Sequence, residues 1–271
     1  MYESFYGLKE RPFNVTADPS FLFFSKKHRE AFEHLIYGIR ERRGFLEITG
    51  EIGTGKTTLC RALIGQLDSN TKTAFILNSN LPETQLLSAI IDDLGITAKP
   101  KTKVNLLNEL NRFLIEQLKA GSNVVLIIDE AQNLRAAQLE QIRLLSNLET
   151  DKDKLIQIVL VGQPELRDKL DSPGLEQLRQ RISVRYHILP LDRTEIGDYI
   201  FHRLSVAGSD GSIKFSPDAI SEIYAYSGGV PRLINLVCDR TLLLGFTMET
   251  KDITMDMVKR SIEEIEGYVK I

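Results

Sequence analysis

The sequence is short of most features that would tie a chain to a disulfide scaffold, a metal, a membrane or a polyanion. It has two cysteines, Cys60 and Cys238, far apart and outside any CxxC pair. That excludes a disulfide framework and a zinc ribbon and suits a reducing compartment. The four histidines, His28, His34, His187 and His202, show neither metal-ligand spacing nor a neighbouring nucleophile motif, so they read as structural. Positive charge is not in excess: 34 Lys+Arg against 37 Asp+Glu leave a formal net charge of −3. No global field therefore draws the chain onto nucleic acid or acidic lipid. The longest strongly apolar run, Val124 to Ile128, suits a buried strand and is far too short to span a bilayer. Met1-Tyr2-Glu3-Ser4 is neither basic nor followed by an apolar stretch, so no secretory signal is expected and the chain reads as soluble. Internal repeats and low-complexity tracts are missing as well.

What is there is a patterned chain long enough for one large core or a core plus a small second domain. Residues 1–25 form an aromatic, proline-interrupted segment (Phe5, Tyr6, Pro12, Phe13, Pro19, Phe21, Phe23, Phe24). Its prolines deny it a long helix and its aromatics need a surface, which predicts an ordered strap lying across the core. Helical spacing of Ala31, Leu35, Ile36 and Ile39 predicts a helix over 26–42. Strands are then predicted at 45–49, 73–78, 124–128, 156–161 and 184–188, and helices at 56–68, 83–94, 104–119, 136–149 and 174–182. Alternation of this kind, with near-continuously apolar strands, implies a parallel sheet covered on both faces. Beyond Pro190 no strand pattern remains. Helical patterns at 192–206, 217–226, 231–246 and 254–265 predict a small all-helical domain over 191–271, after a core over 26–190.

Gly50-Glu51-Ile52-Gly53-Thr54-Gly55-Lys56-Thr57 fits GxxxxGK[ST] at every fixed position. Glycines let successive backbone N–H groups turn inward and form a nest for phosphate oxygens at a helix start. Lys56 supplies a point charge for the β- and γ-phosphates, and the Thr57 hydroxyl a ligand for Mg²⁺. The run lies between an apolar strand, Phe45 to Thr49, and a predicted helix beginning at Thr58, the context this motif requires. A nucleoside triphosphate, read as ATP with Mg²⁺, is thereby implied.

The apolar strand 124–128 delivers Asp129 and Glu130 at its carboxyl end, where ligands bind in parallel sheets. Asp129 suits Mg²⁺, directly or through water, and Glu130 suits orienting and polarising an attacking water. Gln163, after the strand at 156–161, has an amide that could meet the water or the γ-phosphate, or simply close a turn. Arg179, Arg181 and Arg185 lie in LRQRISVRYHI, at a helix end and into the fifth strand. They read either as an arginine finger for a neighbouring subunit or as a basic helix end balancing the macrodipole. Arg181, nearest the strand, ranks first as finger. In Ser227-Gly228-Gly229-Val230-Pro231-Arg232 the glycines allow a hinge, and Arg232 projects from a helix start toward nucleotide phosphates.

FYGLKERPFNVTADPSFLFFSKKHREAFEHLIYGIRERRGFLEITGEIGTGKTTL, LIIDEAQNL, VLVGQPELRDKL, LRQRISVRYHILPL and SGGVPRLIN together resemble the AAA+ ATPases of the general secretion pathway protein A family, which help assemble secretins and related envelope machines. The aromatic strap and GQPEL are the more specific marks. The resemblance implies an α/β three-layer core with five parallel strands in the order 5-1-4-3-2, followed by a helical lid. It implies Gln163 as sensor 1, Arg232 as sensor 2, a finger among Arg179 and Arg181, and a strap and first helix that help enclose adenine. Cytoplasmic location, a homo-oligomer and envelope or secretion-machinery partners come with it. Relatives of the secretion type continue into a transmembrane helix and a periplasmic domain. This sequence ends at Ile271, so it reads either as a piece of such a chain or as a soluble member like those accompanying pilus or exopolysaccharide loci. A looser resemblance is to the DNA-binding ATPases that select transposition targets. Arg40, Arg42, Arg43 and the basic 95–103 loop are the hints for DNA; the acidic balance and the strap favour envelope assembly. A P-loop switch without turnover is disfavoured by Glu130.

Overall fold

The computed structural model describes residues 1–77, 79–150 and 153–267. The chain divides into a sheet unit, Arg29–Glu51 with Leu59–Ile188, and a helical unit, Met1–His28, Ile52–Thr58 and Leu189–Ile271.

In the sheet unit five strands, β1 (Phe45–Gly50), β2 (Thr71–Ile76), β3 (Asn123–Ile128), β4 (Gln157–Gly162) and β5 (Ile182–Ile188), are all parallel in the order β2-β3-β4-β1-β5. Every residue of β1 and β4 is buried, as expected of central strands covered on both faces. In-register neighbours point to the same face. Ala74, Leu126, Ile158 and Phe45 therefore share one side, where Leu86, Ile90, Leu110, Leu139 and Leu166 complete a core. These come from α4 (Glu83–Asp93), α5 (Lys103–Lys119), α6 (Ala136–Leu145) and α7 (Pro164–Leu170). On the other side α2 (Lys26–Arg40) lies close enough that a Cβ on Gly38 would stand 2.2 Å from Leu46. Glu47 is the charged residue of β1. It is 2% exposed, 3.3 Å from Arg185, and burial pushes its carboxyl upward while that guanidinium pulls the other way.

Several boundaries differ from expectation. β2 begins at Thr71 and ends at Ile76, and Asn78 of the predicted strand lies outside the described residues. The helix expected at 136–149 stops at Leu145, and Ser146 beyond it turns its hydroxyl onto the Arg143 carbonyl at 2.7 Å. α7 went unforeseen, although Pro164 after the polar Gln163 is a helix-start signal. The expected helix at 174–182 contracts to α8 (Glu176–Arg181).

The helical unit contains α9 (Ile196–Val206), α10 (Pro217–Ser227), α11 (Pro231–Thr247) and α12 (Met255–Glu266). It is not all-helical. β6 (Lys214–Phe215) and β7 (Asp252–Ile253) pair in parallel, each too short to leave a periodic pattern in sequence. The strap, expected to lie across the core, belongs to this unit, where its aromatics pack with the C-terminal helices. It holds α1 (Tyr2–Tyr6) and a 3-10 turn, Pro19–Phe21. Tyr2, Tyr6, Phe13 and Phe21 are buried with Tyr199, Ile223, Val237 and Leu242. The Tyr6 hydroxyl donates to the Leu242 carbonyl at 3.0 Å. Arg203 fixes the strap by donating to the carbonyls of Pro12 (2.5 Å) and Asn14 (3.1 Å) while its guanidinium stacks 4.7 Å above Phe21.

The glycine pair before α11 is held rather than hinged. Gly229 has φ 81° and its carbonyl accepts from Leu191 N at 2.9 Å. A Cβ there would stand 2.0 Å from the Leu191 carbonyl oxygen. Gly228, with φ 56°, closes α10 in the left-handed region and has open space around its Cα. Gly229→Ala should therefore destabilise the protein by more than about 2 kcal/mol, and Gly228→Ala by only about 1 kcal/mol. Denaturant midpoints of the two variants check this, and equal losses would show that backbone strain alone governs both positions.

Candidate functional site

All but two of the sequence-predicted residues fall into two groups along the chain. The first is the candidate phosphate loop. Gly50 ends β1 and Glu51 follows it, exposed. Ile52, Gly53, Thr54 and Gly55 form the turn, and α3 (Lys56–Gln66) starts at Lys56, with Thr57 and Thr58 in its first turn. Gly53 and Gly55 take φ 82° and 90°, the left-handed conformations that let backbone amides converge. Thr54 between them is fully buried, and Lys56 is 6% exposed.

Two groups hold the loop from outside. The Arg232 backbone N–H, in the first turn of α11, donates to the Gly53 carbonyl at 3.2 Å. His28, in the first turn of α2, places Nε2 2.7 Å from the Thr54 carbonyl oxygen. Side chains would not fit between these groups and the loop: a Cβ on Gly53 would lie 2.7 Å from Arg232 Cβ, and one on Gly55 3.3 Å from His28 Nε2. The loop thus combines glycine backbone with a lysine and threonines, residue types that fit a polyphosphate and the hard oxygen-preferring Mg²⁺. Arg232, expected to turn its side chain toward nucleotide phosphates, meets the loop through its backbone N–H. His28, read from sequence as structural, touches it, and no local motif announced this.

The second group is in the sheet unit. Asp129 follows β3, is 1% exposed, and donates its backbone N–H to the Ile76 carbonyl at 2.9 Å. Its Oδ1 accepts the Glu130 N–H at 2.9 Å. Glu130 takes φ 50° and ψ 38°, unusual for a residue with a side chain, and Ser79 Oγ donates to its carbonyl at 2.8 Å. Glu130 Oε2 accepts two amides, Gln163 Nε2 at 3.1 Å and Gln132 Nε2. Gln132 also accepts the Gln163 backbone N–H through Oε1 at 3.1 Å. Gly162 leaves room for this, since a Cβ there would stand 2.8 Å from Gln132 Oε1.

Gln132 was missed in sequence. It sits in the 3-10 turn Ala131–Asn133, and only that turn folds it back beside Glu130. Lys169 fixes the turn by donating to the carbonyls of Gln132 and Leu134.

Arg179 and Arg181 end α8 at the β5 edge of the sheet and join neither cluster. Arg181 NH1 donates to the buried Ser146 Oγ at 2.6 Å. Arg179 is 42% exposed and stands 3.8 Å from Asp171, which also pairs with Arg185 at 3.5 Å. Among the described residues no group of His, Cys, Asp and Glu is arranged to hold a metal by itself. None of the described helices is long and apolar enough to cross a membrane.

Residues 39–170 match the AAA domain family. General secretion pathway protein A of Aeromonas hydrophila is 45% identical over 268 residues, 98% of this chain and 49% of that protein. The chain therefore spans about half the length of that relative. Among solved structures, the ORC2 protein of Aeropyrum pernix superposes with a TM-score of 0.71 at 17% identity, covering 97% of this chain and 73% of that one. Cdc6p of Pyrobaculum aerophilum gives 0.67 at 19%, covering 97% and 70%. RuvB, the Holliday junction branch migration motor of Thermotoga maritima, gives 0.58 at 18%, covering 89% and 69%. At such identities these three attest the fold alone. Five parallel strands in this order and a glycine-rich loop opening a helix give the chain the AAA+ P-loop fold, and in sequence it is similar to general secretion pathway protein A.

Proposed function

We propose that the chain binds ATP with Mg²⁺ and hydrolyses it, acting in the cytoplasm as a homo-oligomer that serves assembly of envelope or secretion machinery. The observation that carries hydrolysis, as distinct from binding, is the carboxylate of Glu130 tethered by Gln132 and Gln163. A phosphate loop alone suffices to bind; an aimed carboxylate serves turnover. With Oε2 occupied by two amides, Oε1 is left to receive a proton. As a water oxygen bonds to the γ-phosphorus, Glu130 takes a water proton, the bond to the bridging oxygen breaks, and ADP leaves with phosphate as the second product. Lys56 offsets charge on the β- and γ-phosphates, and Gln163 also serves as a donor toward the γ-phosphate. Thr57 and Asp129 would hold Mg²⁺, whose charge neutralises the phosphates when bound. Arg232 reads phosphate from the α11 end of the loop.

Arg179 now ranks ahead of Arg181 as the finger, because Arg181 is spent on Ser146 within its own chain while Arg179 is exposed and loosely paired. The envelope role rests on the 45% identical relative. For DNA the support weakens: Arg42 donates to the Ser122 carbonyl, Arg43 to Tyr37, and Lys101 and Lys103 pair with Asp92 and Glu83. Duplex affinity falling steeply with salt would nevertheless revive that alternative.

Lys56→Ala is expected to abolish ATP binding with the fold intact, and calorimetry showing wild-type affinity would refute the loop assignment. Glu130→Gln should bind ATP normally and turn over at least ~100-fold more slowly. Gln132→Leu, which frees one side of the carboxylate, should lower kcat by about tenfold with KM little changed. Full kcat in the Gln132 variant would make its contact to Glu130 incidental.

A shared site makes a further forecast. Lys56→Ala and Arg179→Ala proteins, each inactive, should recover partial ATPase activity when mixed, since some interfaces then pair an intact loop with an intact arginine. A mixture that stays inactive while wild type assembles would assign Arg179 to its own subunit.

A further inference from the structure

We propose that His28 is a positioning residue for nucleotide binding, holding the phosphate loop's amides toward the phosphates through the Thr54 carbonyl; this rests on the nucleotide reading above. A trans peptide plane points its carbonyl and the following N–H in opposite directions. Fixing the Thr54 carbonyl on His28 Nε2 at 2.7 Å therefore aims the Gly55 N–H the other way. Fixing the Gly53 carbonyl on the Arg232 N–H at 3.2 Å does the same for the Thr54 N–H. Gly53 and Gly55, with φ 82° and 90°, lack the Cβ that would resist a peptide flip, so the loop's orientation must be imposed from outside. A flipped peptide would turn a carbonyl dipole on the phosphate, repelling what the amide should attract.

The ring's own state is set by its neighbours. A carbonyl only accepts, so Nε2 carries the proton and Nδ1 of the neutral ring accepts. Ser25 Oγ, 2.7 Å from Nδ1, supplies the donor and accepts the His28 backbone N–H at 3.2 Å. Ser25 and His28 are 2% and 3% exposed, so no bulk water substitutes for either bond. Burial also lowers the His28 imidazole below its ordinary range, in keeping with the neutral tautomer the geometry requires. Sequence could not reveal this. Ser25 and His28 lie about 25 residues before the loop and carry no motif spacing to it.

The test compares His28→Met with His28→Gln, side chains of similar length of which only glutamine can donate to the Thr54 carbonyl. Steady-state ATPase kinetics, ATP calorimetry and thermal unfolding are measured on both with wild type. His28→Met should raise KM and Kd for ATP by about tenfold, the worth of one buried hydrogen bond, while kcat at saturation stays within about twofold. His28→Gln should stay within about threefold of wild type in KM. Ser25→Ala, which releases the tautomer without touching the loop, should fall between them. Wild-type KM in His28→Met overturns the proposal, as does a glutamine variant as weak as the methionine one. A methionine variant that does not fold would overturn it too, since the side chain would then serve the fold. If wild type itself binds no ATP, the nucleotide reading fails; if wild type binds and His28→Met binds equally, only this inference fails.

Discussion

The structure depends on β1 being paired on both sides and covered on both faces. Parallel partners β4 and β5 take up its backbone groups, register Leu46 against Val159 and Val184, and leave no residue of the strand exposed. Buried backbone groups must be paired, so neither slippage nor fraying of this strand is tolerated. Gly50, its last residue, is for that reason a fixed origin for the glycine-rich turn that follows. The same constraint acts one strand over. Ile128 of β3 stands beside Leu160 of β4, so the residues just past the two strand ends, Glu130 and Gln163, emerge as neighbours. Their meeting is a consequence of register and not of any local motif.

The candidate site is laid on this frame at some cost to it. Glu130 sits at φ 50° in a region that costs a side-chain residue about 1 kcal/mol or more. The conformation persists because its surroundings over-determine it: the Asp129 carboxylate takes its N–H, Ser79 its carbonyl, and Gln132 and Gln163 its side chain. Glu47 is a second local expense, a carboxyl buried in β1 beside Arg185. The phosphate loop follows the same logic with backbone instead of side chain. Its glycines permit the required turn without enforcing it, and the enforcing groups, His28 and Arg232, come from distant parts of the sequence.

Much of this was legible beforehand, and what was not has physical reasons. Parallel strands announced themselves because burial on both faces makes them continuously apolar, as Val124 to Ile128 shows. The places of the glycine-rich run between β1 and α3 and of Asp129–Glu130 after β3 could be read because each run follows a continuously apolar strand. β6 and β7, two residues each, are below the length at which a period exists. The strap's aromatics declared that they pack but not on what, and they pack with the C-terminal helices. Gln132 and His28 were invisible because each acts through a contact made by tertiary folding. The preference for Arg181 over Arg179 came from chain position, whereas side-chain engagement with Ser146 argues the reverse.

The central claim is turnover by a site completed between copies of the chain. The most direct measurement is release of phosphate from ATP by the purified wild-type protein with Mg²⁺, followed as specific activity across a wide range of protein concentration. The account predicts activity per chain that rises with concentration to a plateau as subunits associate. No phosphate release at any concentration, or an activity per chain that never changes, would contradict it.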